Sequence, residues 1–190
     1  MRHDFAEIND EHYIKYYSSI RRIAQDHPVK HDTIQGDLKN LWIYGPPGVG
    51  KSRWARTITG GLHYDKNCNK WWDGYQGEAD ALIDDFDDSH KALGHHLKRW
   101  ADRYPYTGEL KGYSLALRPS RIIVTSNYAI GAIGWDAVTT EAIQRRFKEI
   151  HIEGTMNGDE FSQLALEMDI DIVPTPEANT DTSTTEELAS

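Results

Sequence analysis

The chain has 190 residues, a formal net charge of −9, 38% hydrophobic residues and one cysteine, Cys68. That length holds one domain with a real core and a small appendage. No run of eighteen apolar residues offers a helical membrane span, the N-terminus lacks the apolar stretch of a secretory signal, and one cysteine excludes an internal disulfide framework and fits a reducing compartment.

The charge is lopsided. All 21 Lys and Arg fall at or before Lys148, while the residues after it carry 11 acids and no Lys or Arg. The body is therefore near neutral, which permits contact with nucleic acid through a local patch without predicting it.

In chain order, residues 10–25 place Ile14, Tyr17, Ile20 and Ala24 on one helical face, with Asp10 as N-cap. Residues 26–40 form a polar link. Leu41–Tyr44 reads as a short buried strand, and Arg53–Ile58 as a helix stopped by Gly60 and Gly61. Ala79–Asp84 is a second strand. Residues 89–103 read as a helix capped by Ser89, with Leu93, Leu97 and Trp100 on one side. Tyr106 to Leu117 alternates around Gly108 and Gly112, the pattern of a hairpin. Arg121–Ser126 is a third strand, and Ala137 to Phe147 a last helix. Strands and helices alternating in this way predict an open parallel α/β sheet with ligand at the strand carboxyl ends. From about Pro174 the sequence has no apolar periodicity and cannot offset the entropy of ordering. It reads as a disordered acidic tail, either solubilising or competing with nucleic acid for a basic channel.

Between the first strand and the helix that follows lies Gly45-Pro-Pro-Gly-Val-Gly-Lys-Ser52, of the form G-x-x-x-x-G-K-[ST]. Glycines turn backbone N–H groups inward and the helix dipole adds positive charge, which makes an anion cradle. The cradle comprises Gly45, Pro46, Pro47, Gly48, Val49, Gly50, Lys51 and Ser52. Lys51 would reach the β/γ-phosphates of a nucleoside triphosphate such as ATP, and the Ser52 hydroxyl would sit on Mg2+. The second strand ends in Asp84 and Asp85. Asp84 suits the Mg2+ shell, and Asp85 suits polarising an attacking water. Asn127 follows the third strand, where an amide either bonds the γ-phosphate and lytic water or simply turns the chain. Arg145 and Arg146 end the last helix, where the dipole favours cations in any case; the functional alternative is an arginine finger reaching a neighbouring subunit. His90, His95 and His96 do not share a face with further ligands, and no zinc is assigned.

Taken together, Gly45–Ser52, Asn69–Tyr75, Leu82–Phe86, Asp102–Pro105, Ile122–Asn127 and a helix ending in Arg145 and Arg146 resemble the superfamily 3 helicase domain of replication initiator (Rep) proteins. The resemblance is closest to those of circovirus-like single-stranded DNA viruses and covers roughly Leu41 to Ile152. It implies an AAA+-like ATPase that assembles as a ring, usually a hexamer, and moves on single-stranded DNA with 3′-to-5′ polarity. It raises Asn127 to a sensor and makes Arg145 or Arg146 the finger in trans. It also places Gly108–Gly112 in the pore, with Lys111 against a DNA phosphate. Trp71 and Trp72 either stack bases or pack. The implied organisation is an N-terminal helical or oligomerisation element at 1–40, the ATPase domain at 41–152 and an acidic tail at 153–190. A host-nuclear or cytoplasmic location is the corresponding expectation.

Full-length proteins of this kind also carry a nicking endonuclease with a His-apolar-His motif and a Tyr-x-x-Lys motif, and neither occurs in this sequence. The expectation is the helicase half alone, with a nuclease domain or full-length Rep as a possible partner. The competing readings are an orphaned nucleotide- or DNA-binding domain without unwinding, and a small P-loop kinase.

Overall fold

The structure is a computed structural model that describes residues 9–26 and 30–175. Its elements run α1 (Asp10–Asp26), β1 (Asn40–Tyr44), α2 (Lys51–Ile58), β2 (His63–Asp65), β3 (Asp80–Phe86), α3 (Gly94–Trp100), β4 (Tyr106–Leu110), β5 (Tyr113–Leu117), β6 (Arg121–Ser126), α4 (Ala137–Gln144), β7 (Phe147–His151) and α5 (Gly158–Glu167). Five strands form one sheet in the order β2-β3-β6-β1-β7, and every pairing in it is parallel. Sheets of this kind are covered on both faces and read as near-continuous apolar runs; all six residues of β6 are buried.

Successive residues of a strand face opposite ways, so the sheet divides two cores. Trp42, Ile83, Phe86, Ile122 and Val124 pack with Trp72 and Trp100 on one side. Leu41, Ile43, Leu82 and Ile123 pack with Ile58 and Phe161 on the other. The α/β architecture expected from the alternating elements is the one observed, and β4 and β5 form the expected hairpin as a separate antiparallel pair.

Four elements differ from the sequence reading. β2 was not foreseen, being only three residues long. The last helix ends at Gln144 and Phe147 opens a strand instead. Phe147 enters one core and Ile150 the other; residues three apart lie on opposite faces of a strand but on one face of a helix. Ser89 is not a cap: its N–H donates to Asp87 Oδ1 at 2.9 Å, and Asp87 caps a 3-10 turn over Asp88–Leu93 before α3 starts at Gly94. The turn fixes the chain so closely under Trp135 that a Cβ on Gly94 would lie 2.6 Å from its Nε1.

The fourth difference concerns the segment after Ile152. Asn157 caps α5 by accepting from the N–H groups of Asp159 and Glu160, and Glu160 reaches back to the Asn157 N–H, a capping box. Phe161 then stacks on Trp54 of α2, ring centroids 3.8 Å apart. Residues 158–167 thus belong to the second core rather than to a tail. The stretch from 176 onward lies outside the described residues.

On α1, Ile14 and Tyr17 are 78% and 42% exposed; the side chains of Asp10, Ile20 and Ala24 lie outside the described residues. The link after α1 is held by His31 Nε2 against the Ala116 carbonyl at 3.0 Å and by the Ile34 N–H donating to the Arg103 carbonyl at 2.9 Å. Replacing Phe161 by Ala removes the ring that α5 inserts, and the intact chain is expected to lose about 3–5 kcal/mol. The measurement is the urea midpoint; an unchanged midpoint would make α5 an appendage.

Candidate nucleotide site

The cradle follows β1 directly. Gly45 has φ 151°, and a Cβ there would sit 2.0 Å from the Ile152 carbonyl oxygen, because the chain leaving β7 passes against it. Gly50 precedes α2 at φ 93° and supplies no side-chain cap, which leaves the first-turn N–H groups of α2 for an anion. The residues therefore fit a bound phosphate chain.

Lys51 is only 8% exposed. Its ammonium donates to the Gly45 carbonyl at 2.9 Å, the Pro46 carbonyl at 2.8 Å and Asn127 Oδ1 at 2.8 Å. Burial holds its pKa below the ordinary lysine value, opposed by the charges of Asp85 and Asp84. Asn127, at the end of β6, is thus brought to the cradle by a direct bond.

Asp84 joins three elements. It accepts from Ser52 Oγ of α2 at 2.7 Å, from Thr125 Oγ1 of β6 at 2.5 Å, and from Arg56 Nη1 at 3.2 Å. Burial raises its pKa, but the bonds from Thr125, Ser52 and Arg56 outweigh it and hold the carboxyl below its usual range. Ser52 and Asp84 together are a hard oxygen pair of the type Mg2+ prefers, which takes one or two protein ligands and completes its shell with phosphate and water.

Asp85 follows where β3 departs from its register with β6, the pairing slipping between Ile83 and Phe86. Its φ is 57°, a conformation that costs a non-glycine residue about 1–3 kcal/mol and that collects at functional sites. Its N–H donates to Thr125 Oγ1 at 2.9 Å. The bulge turns the second acid out of the sheet to the exposed rim beside Lys51.

Thr125 and Arg56 were not singled out from sequence. Thr125 is 1% exposed and holds both acids at once; its trace in the sequence is a hydroxyl inside an otherwise apolar run. Arg56 also reaches Asp65 at 3.1 Å, bracing α2 to β2.

Arg145 and Arg146 do not join this cluster. They precede β7, at the amino end of a strand whose carboxyl end flanks the cradle. Arg146 is held by Asp102, with Nη2 2.5 Å from Oδ2, and donates to the Ala142 carbonyl at 2.6 Å. Arg145 is exposed and has no side-chain partner among the described residues. Lys111 stands exposed in the β4–β5 turn, its backbone N–H donating to Asp73 Oδ1 at 2.7 Å. Trp72 is fully buried, ringed by Tyr64, Tyr75, Trp100 and Tyr106. Trp71 is half-buried with Lys70 Nζ 4.4 Å from its ring centre. Of the two tryptophans, Trp72 packs.

The sheet order and the cradle at its carboxyl edge define an AAA+-like α/β P-loop protein. A family model described as RNA helicase matches residues 41–128. The replication-associated protein of Porcine circovirus 1 is 36% identical over 132 residues, covering 64% of this chain and 40% of that protein. That of Beak and feather disease virus is 45% identical over 86 residues, covering 45% and 28%. That of Porcine circovirus 2 is 32% identical over 178 residues, covering 83% and 54%. The chain carries a superfamily 3 helicase domain of the circovirus-like Rep kind. The matched part spans about half or less of these relatives' own length.

Because the folded state holds the Asp84 carboxyl below its unfolded value, it contributes stability above about pH 4 that is lost as pH falls through the folded value. The gap in urea midpoint between the wild type and Asp84→Asn is therefore expected to be widest at neutral pH and to close in acid. A gap independent of pH would show that the carboxylate charge is not what its three donors hold.

Proposed function

We propose that this chain is a Mg2+-dependent ATPase whose subunits form a ring, draw single-stranded DNA through it with 3′-to-5′ polarity and unwind duplex during rolling-circle replication of a viral genome. The observation that carries this reading is that residues from three separate segments meet at one sheet edge. Lys51 bonds Asn127 while Ser52 bonds Asp84, and no packing need of the core calls for four polar groups there. The names of the relatives, replication-associated proteins of circoviruses, support the setting.

Lys51 exchanges its carbonyl partners for phosphate oxygens when nucleotide binds. Ser52 and Asp84 would hold a magnesium ion, which supplies charge neutralisation at the phosphates when bound. Asp85 orients the attacking water, its carboxylate exposed at the rim of the bulge. Asn127, already bonded to Lys51, registers whether the γ-phosphate is present. Arg145 is the finger for the neighbouring subunit, since Arg146 is committed to Asp102. Lys111, repeated round a ring, gives a positive collar for the strand. A nicking domain, in a longer chain or in trans, would complete the replication function, in the host nucleus or cytoplasm.

Steady-state ATP hydrolysis across protein concentration, with and without oligothymidylate, tests this reading. Turnover per subunit is expected to rise with both. Lys51→Ala should fall to background. Asp85→Asn should keep nucleotide binding and lose at least about a hundredfold in rate. Arg145→Ala should lose about a thousandfold, with Arg146→Ala instead losing stability. Nucleotide binding without turnover under any condition would favour an orphaned binding domain.

A further inference from the structure

At the amino end of the sheet, opposite the cradle, the loop between α3 and β4 opens a cavity of about 310 Å³ lined by Lys98, Arg99, Asp102, Tyr104 and Arg146. Arg99 is exposed and has no side-chain partner among the described residues, and Tyr104 presents a ring that is 60% exposed. Lys98 makes one long contact, 3.5 Å to Thr139 Oγ1. A cavity of about 270 Å³ adjoins it, lined by Arg103 and Arg145, and both share Asp102 and Arg146. The Asp102–Arg146 pair is thus a partition, with Arg145 on one side and Arg99 with Tyr104 on the other.

The cavity continues toward the hairpin. Tyr104 precedes β4 by two residues, and the five residues of β4 span about 16 Å to the turn that carries Lys111. Along that flank Glu109 carries Lys70 on its carboxylate. Trp71 bridges to Glu109 there, under Lys70. Three acids lie along the strip: Glu109 is paired with Lys70 at 2.7 Å, Asp102 is paired with Arg146 at 2.5 Å, and Asp73 accepts the Lys111 N–H at 2.7 Å. What remains is Arg99 without a side-chain partner among the described residues, Lys98 in one long contact and Lys111 in the turn, together with the exposed Tyr104 ring and the half-buried Trp71. A nucleic-acid single strand needs both, phosphates meeting cations and bases meeting rings.

We infer that the Lys98–Arg99–Tyr104 groove is a second single-stranded DNA site, continuous along β4 with the Lys111 turn. Arg99 and Lys98 hold phosphates and Tyr104 stacks one base. The site rests on the DNA-directed reading above. It adds that each subunit grips the strand at two points, and that the partition keeps the strand away from Arg145. The groove is more than a charged surface because the ring, and not only the cations, is placed for a base.

Anisotropy of fluorescein-labelled oligothymidylate, titrated with the full chain at several salt concentrations, tests it. Arg99→Ala is expected to weaken binding about tenfold and to lower the slope of log affinity against log salt by about one. Tyr104→Ala should weaken binding by roughly five- to tenfold, and Tyr104→Phe should restore it. Both positions are exposed, so melting temperature and DNA-independent ATP hydrolysis should stay at wild-type values. If Arg99→Ala and Tyr104→Ala bind as the wild type does while Lys111→Ala does not, the groove is overturned and the pore contact stands. If the wild type itself does not bind oligothymidylate, the DNA-directed reading falls and the groove with it.

Discussion

A single buried amide sets the frame on which both ends of the sheet depend. Asn40 opens β1 and is 3% exposed. Its Nδ2 donates to the Ala101 carbonyl at 2.8 Å and to the Arg146 carbonyl at 3.0 Å, and its Oδ1 accepts the Ile122 N–H at 2.8 Å. Both donors and the acceptor are used, so burial leaves nothing unsatisfied. The three bonds tie β1 to the end of α3, to the α4–β7 turn and to β6. A slip of one residue would exchange the faces of Leu41 and Trp42, and would move Gly45 from its place against the Ile152 carbonyl, where a Cβ does not fit. Asn40 thus fixes where the cradle begins and, through Ala101 and Arg146, where the walls of the basic groove stand.

The two ends are built on opposite terms. At the amino end one ion pair is closed inside the fold: Arg121 pairs with Asp80 at 2.6 Å, both side chains nearly buried, and donates to the Asp171 carbonyl at 2.7 Å. Such a pair is costly to break and holds the starts of β3 and β6 together. At the carboxyl end the polar groups are held in less comfortable states, with Lys51 partly desolvated and Asp85 in a left-handed backbone conformation. The aromatic packing beneath, where Trp42 meets Phe86, Phe147 and Trp135, supplies the rigidity that keeps those states populated.

The legible parts of the sequence were those whose physics is local. The glycine spacing before Lys51, the apolar run into Asp84 and the run into Asn127 each carry their own structure, and their meeting at one edge follows from parallel topology. What was not legible depended on distance. Phe147–His151 follows a helix with no turn residue between them, and only pairing with β1 makes it a strand. Phe161 reads as a lone aromatic in an acidic stretch until Trp54 is beside it. Thr125 gains its role from two acids forty residues away. The pairing of Arg146 with Asp102, forty-four residues away, is likewise announced by nothing in its neighbourhood.

The position of β1 in the sheet also governs when the cradle can exist. Its neighbours are β6, where Leu41 pairs with Ile123, and β7, where Asn40 pairs with Phe147. A chain emerging from the ribosome presents β1 early and must wait for β6 (Arg121–Ser126) to cover one edge of that strand and for β7 (Phe147–His151) to cover the other. Contacts of such long sequence separation are slow to close, and an apolar strand with open edges is exposed to wrong partners meanwhile. The phosphate cradle, though written near the start of the domain, is therefore among the last parts of it to be finished during synthesis.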